Sequence, residues 1–175
     1  MEKKTINSLK PSFMQALNIA EQWCKDWEEE LVSDEVLADR IAELVATRNG
    51  LRGFFAYALS DINCTLLDKL PTPVLFKLRE KGDKIVELVV KNLIMSSAQV
   101  ICHQRDNNAS YENISRNIAE RCIDLLKRLD TKLVTKKVNE VFYNLENMGN
   151  SFDSSIKYDN EQKIFIKYKL KNISN

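Results

Sequence analysis

A chain of 175 residues, 44% apolar and 29% charged with a net charge of +1, has the size and balance of one globular domain. Four glycines and three prolines are too few for the turn every 8–12 residues or so that an all-β chain needs, so the expected class is all-α. No segment has the basic density of a phosphate-binding surface, which disfavours nucleic acid as a partner. No apolar run reaches the roughly 18 residues of a membrane span, and MEKKTINSLK has no apolar segment behind its charges, which points to a cytoplasmic chain.

The first helix is predicted from Ser12 to Leu31. Ser12 and Gln15 have the spacing of a capping box, and Phe13, Leu17, Ala20, Cys24, Trp27 and Leu31 repeat at helical period. Glu28, Glu29 and Glu30 stand at its C-terminal end, where the macrodipole disfavours negative charge. Ser33 caps a second helix with Asp34 and Glu35 in its first turn, and Asn49-Gly50 reads as its stop. Leu51, Phe54, Phe55, Ala58, Leu59 and Ile62 then fall on one helix face, predicting a third helix over about 51–60. Gly50 is expected to supply a left-handed turn, and Gly53 to mark a close approach of two backbones. No phosphate-loop motif surrounds these glycines.

Thr72, Pro73 and Gly82 bracket a short helix over about 73–81. Asp83 then opens the longest apolar segment, predicted as a central buried helix over 83–104. Another helix starts at Ser110. Its stripe of Ile114, Ile118, Cys122, Leu125, Leu126 and Leu129 lies very roughly 160° away from that of Val134, Val138, Val141, Leu145 and Met148, so a break is placed near Asp130-Thr131. The expectation is a single helical bundle of about six helices over 1–149, with 150–175 as a tail. Alternation through Ile164, Ile166, Tyr168 and Leu170 argues for a strand there, hairpinned with Ile156-Lys157-Tyr158, while Asp159 and Gln162 have capping-box spacing. The β reading is taken, with the tail as an oligomerisation arm and its lysines as guards of an edge strand.

Little here carries chemistry. Cys24, Cys64, Cys102 and Cys122 lie far apart in sequence and read as reduced, mostly buried small apolar residues. With one histidine and no Glu-x-x-His, no metal site, cofactor or catalytic residue is assigned. Two candidate ligand sets remain. Asn92, Ser96, Gln99 and His103 share one face of the central helix, and Arg48 and Arg52 flank Gly50 near a helix start that attracts anions. The expected function is non-enzymatic protein interaction, with self-association through Trp23/Trp27 or the tail. The alternatives are a ligand pocket along the polar stripe, or weak contact of the lysine-rich tail with nucleic acid or membrane.

Overall fold

The computed structural model describes residues 10–147 and 157–173, and within them the chain forms eight helices and no strand. They are α1 (Phe13–Glu28), α2 (Asp34–Leu44), α3 (Arg48–Ser60), α4 (Thr72–Glu80), α5 (Asp83–Arg105), α6 (Ala109–Arg128), α7 (Thr131–Asn147) and α8 (Asn160–Lys171). Packing is most extensive between α5 and α6, then between α1 and α3, α2 and α4, and α5 and α8, while α3 against α6 joins the two halves. One continuous apolar core runs from Ala16 on α1 to Leu170 on α8, so the chain is a single all-α domain.

Local signals start most of these helices. Ser12 Oγ accepts from Gln15 N at 3.2 Å, and Gln15 Oε1 accepts from Ser12 N at 2.9 Å, the reciprocal box the spacing predicts. Asp130 Oδ1 accepts from Leu133 N at 3.0 Å, which opens α7 at the expected break. Two starts move by a residue or two. Gly82, at φ +54°, precedes α5 in place of an Asp83 cap, and Asn108 rather than Ser110 caps α6 by accepting from Tyr111 N.

Two corrections follow from the structure. α2 stops at Leu44, and Gly50 is no helix stop. Thr47 Oγ1 accepts from Gly50 N at 3.0 Å and caps α3, which places Gly50 in its first turn. Its lack of a side chain is needed for space, because a Cβ there would lie 1.8 Å from Leu44 O. Gly53 is the close-contact point expected of it, facing Ala16 and Leu17 of α1.

The second correction concerns the tail, where the hairpin expectation fails at Lys157-Tyr158 and beyond; Ile156 lies outside the described residues. Asp159 and Gln162 form a full capping box, and α8 buries Gln162, Ile166, Lys169 and Leu170, a set spaced by four and three. Ile164 and Tyr168, which alternation would put beside Ile166, face solvent. A helix of twelve residues is marginal alone. Burying Ile166 and Leu170 completely contributes about 1.5–3 kcal/mol each and fixes it. The tail lysines serve this docking: Lys167 pairs with Glu146 at 3.1 Å and Lys169 with Glu120.

Arg105 closes the other end of α8. Its guanidinium bridges the carboxylates of Asp159 and Glu161, and Gln162 Nε2 donates to Ala98 O at 3.3 Å. The Arg105 hydrogen bonds, helped by the Gln162 backbone N–H, hold the Asp159 carboxyl down at about 2. A depressed carboxyl stabilises the fold above its unfolded value of about 3.9, and that contribution fades as pH falls toward 2. The melting temperature of Asp159→Asn should therefore trail the parent at pH 6 and converge with it between about pH 4 and 2. A gap that stays constant down to pH 2 contradicts this assignment.

Candidate functional site

α1, α3 and α5 meet around an open cleft of about 780 Å³. α5 contributes Lys84, Glu87, Leu88, Lys91, Asn92 and Met95, which fall at helical offsets 0, 3, 4, 7, 8 and 11 and so form one continuous face. α3 contributes Arg48, Leu51, Arg52 and Ala56 from its first three turns, Val45, Ala46 and Thr47 come from the α2–α3 junction, and Phe13 stands at the start of α1. Thr47, which caps α3, lines this cleft together with Arg48 and Arg52 from the first turns of that helix.

Charge and polarity are divided within it. Among the described residues, four cations, Arg48, Arg52, Lys84 and Lys91, line the walls with the carboxylate of Glu87. Phe13, Val45, Leu51, Leu88 and Met95 supply apolar surface, of which Met95 is 42% exposed. The Arg52 guanidinium lies 5.4 Å from the centre of the Phe13 ring, a cation–π contact that restrains its side chain. Arg48 and Lys84 take part in no ion pair among the described residues. The arrangement combines fixed positive charge, backbone N–H groups at a helix start and an apolar surface, which suits an anion attached to a hydrophobic body.

The two predicted residue sets meet here only in part. Arg48, Arg52 and Asn92 share the cleft. Asn92 Nδ2 donates to Leu88 O at 2.9 Å, and Ser96 Oγ is buried, donating to Asn92 O and Leu93 O on its own helix. Gln99 is exposed on the surface. His103 is half-buried with its ring 5.5 Å from that of Tyr111 at the start of α6. The stripe therefore does not converge on one cavity. Lys84 and Lys91 were not singled out in the sequence, because lysines spaced along an amphipathic helix look like any solvated face.

Trp23 and Trp27, both half-buried, make contacts within the chain. Trp27 Nε1 donates to Asp34 Oδ1 at 2.8 Å, and the Arg40 guanidinium lies over Trp23, so both rings brace α1 against α2. α5 is long and apolar enough to cross a membrane by length and composition, and here it packs between α6, α7 and α8. Among the described residues no three His, Cys, Asp or Glu side chains gather to hold a metal ion.

No curated protein and no solved structure matches the chain. One family model does, spanning residues 12–173 from the capping serine of α1 to the end of α8. The match covers all eight helices of the described residues, and the chain belongs to the family described as uncharacterised conserved protein UCP020893.

Proposed function

We propose that this protein is a non-enzymatic binding module that holds an organic anion in the α1–α3–α5 cleft. The observation that carries the reading is the convergence of Arg48, Arg52, Lys84 and Lys91 on one apolar-lined cleft, with Glu87 the one carboxylate there among the described residues. Arg48, Arg52 and Lys84 repel one another when gathered this way, and a bound anion relieves that repulsion. The volume of about 780 Å³ falls within the usual range for small-molecule sites. In this reading a carboxylate or phosphate sits against the arginines at the start of α3. Its apolar body lies along Leu88 and Met95.

Calorimetry and thermal shift with straight-chain carboxylates and alkyl phosphates of increasing length test the idea, with the matching alcohols as neutral controls. Affinity should rise with chain length and require the anion. Arg48→Gln and Arg52→Gln should each weaken binding by about tenfold, the cost of one charge-assisted hydrogen bond at an open site. Both side chains are exposed, so the folded state should be little affected. Equal binding of alcohols and anions, or unchanged affinity in the double variant, overturns the reading.

A further inference from the structure

Of the arginines in this chain, all but two hold a carboxylate or a backbone carbonyl of the fold, as Arg79 holds Arg128 O and Arg105 holds Asp159. The two that hold neither among the described residues are Arg48 and Arg52, and both line the α1–α3–α5 cleft. On α3 they are i and i+4, so their side chains leave one helix face a single turn apart. Arg52 lies over the Phe13 ring, 5.4 Å from its centre, a contact that restrains the guanidinium and consumes none of its N–H groups. Two neighbouring guanidiniums without an acceptor in the fold keep their donors for a ligand.

Lys84 adds a third charge from α5, and it too has no ion pair or hydrogen bond among the described residues. Lys91 is engaged within the chain and is set aside. Against Glu87, the remaining cations leave an excess of two positive charges in the cleft. A carboxylate brings one negative charge and two oxygens, which a single guanidinium fork satisfies. A phosphate monoester brings about 1.5–2 negative charges at neutral pH and three terminal oxygens, enough for both forks and an ammonium. Leu88 and Met95 stand about 10 Å apart along α5 and give an apolar track for a tail.

Resting on the anion-binding reading of this cleft, we propose that its ligand is a phosphate monoester carried on an apolar chain, taken in preference to a carboxylate. Arg48 and Arg52 each donate to the phosphate oxygens, and Lys84 balances the second charge. Protonation of the ligand gives this choice a signature. A monoester takes up its second proton near pH 6, so from pH 7.5 to 5.5 the dianion falls from nearly all of the ligand to roughly a quarter. Binding should weaken by about fourfold over that range. An alkyl carboxylate stays charged down to about pH 5 and should bind evenly. The charged groups lining the cleft are Arg48 and Arg52 on α3 and Lys84, Glu87 and Lys91 on α5. Glu87→Gln is therefore the control, since a pH dependence that persists in it belongs to the ligand.

Calorimetry on the full chain with octyl phosphate, octanoate and octanol at pH 7.5 and 5.5 tests this. The phosphate should bind about tenfold more tightly than octanoate at pH 7.5, the worth of one further charge-assisted hydrogen bond. Its fourfold loss at pH 5.5 should survive Glu87→Gln. In the Arg48→Gln/Arg52→Gln double variant the preference for phosphate over octanoate should shrink to about threefold or less. The same head group exists on soluble alkyl phosphates and on phosphatidic acid in a bilayer. Co-sedimentation with phosphatidylcholine vesicles, with and without phosphatidic acid, separates these sources. Capture by the phosphatidic acid vesicles supports the proposal with a lipid source, and octyl phosphate binding without capture supports it with a soluble one. Equal affinity for octanoate and octyl phosphate, or a pH dependence that vanishes in Glu87→Gln, overturns the proposal and leaves anion binding standing. Neither anion binding better than octanol removes the anion-binding reading and the proposal together.

Discussion

Gly53→Ala is expected to lower the melting temperature by up to about 8 °C, although alanine is the better helix former. Two effects of opposite sign compete at this position. Helix propensity favours alanine over glycine by about 1 kcal/mol in a helix interior. Against it, a Cβ on residue 53 would meet Ala16 Cβ at 2.6 Å, Leu17 N at 2.8 Å and Ala16 C at 2.9 Å. Two of those atoms are backbone, so no rotamer change relieves the clash, and α1 and α3 must move apart. Overpacking of this kind costs about 1–3 kcal/mol or more, and the α1–α3 contact is the second largest helix pairing in the fold. For a domain of this size each kcal/mol shifts the midpoint by roughly 2–4 °C. Gly53→Leu should fall further. Ala16→Gly placed with Gly53→Ala should restore only part of the loss, since the Leu17 backbone still obstructs. A melting temperature that rises in Gly53→Ala would mean that propensity wins and the helices are not in close contact.

The contrast between the two α3 glycines shows what a sequence can and cannot disclose. Gly53 interrupts an otherwise regular apolar face, so its cost to the helix signals a packing reason. Gly50 follows an asparagine after an amphipathic stretch, the usual form of a helix stop. A glycine needed for positive φ and one needed for space are the same letter. Thr47 decides between them by taking the Gly50 N–H. In α8 the strand and helix patterns share Ile166 and Leu170, and only the Asp159–Gln162 box and docking on α5 separate them. Elements whose signals lie within one turn, such as the α1 cap and the Asp130 break, were therefore legible. The cleft was not, because Phe13, the first turns of α3 and the Lys84–Met95 face come from three separate segments. The sequence offered Arg48, Arg52 and Asn92 in two unrelated sets, and only their packing unites them.

Arg121→Ala should destabilise the fold by about 3–5 kcal/mol, the largest loss expected from a polar residue here. The α6 guanidinium reaches across to the end of α3 and to the link that follows. It donates to Asp61 O at 2.7 Å, to Cys64 O at 2.8 Å, to Leu59 O at 3.3 Å and to Ala58 O at 3.4 Å, and it pairs with Asp68 at 2.8 Å. Carbonyls at a helix C-terminus have no intrahelical donor, so this one side chain supplies donors to Ala58 O, Leu59 O and Cys64 O, and adds a second to Asp61 O, which Cys64 N also reaches. Its own side chain is only 12% exposed, whereas that of Asp68 is 49% exposed. That asymmetry separates two explanations. If the ion pair is what matters, Asp68→Asn should cost nearly as much as Arg121→Ala. If the carbonyls matter, Asp68→Asn should lose no more than about 1 kcal/mol, as exposed pairs do. Arg121→Lys should then recover little, since an ammonium cannot span the same acceptors as the planar fork. The carbonyl account is the one the distances support, and urea unfolding of the three variants decides it. Near-equal losses in Asp68→Asn and Arg121→Ala, or full recovery with lysine, would refute it.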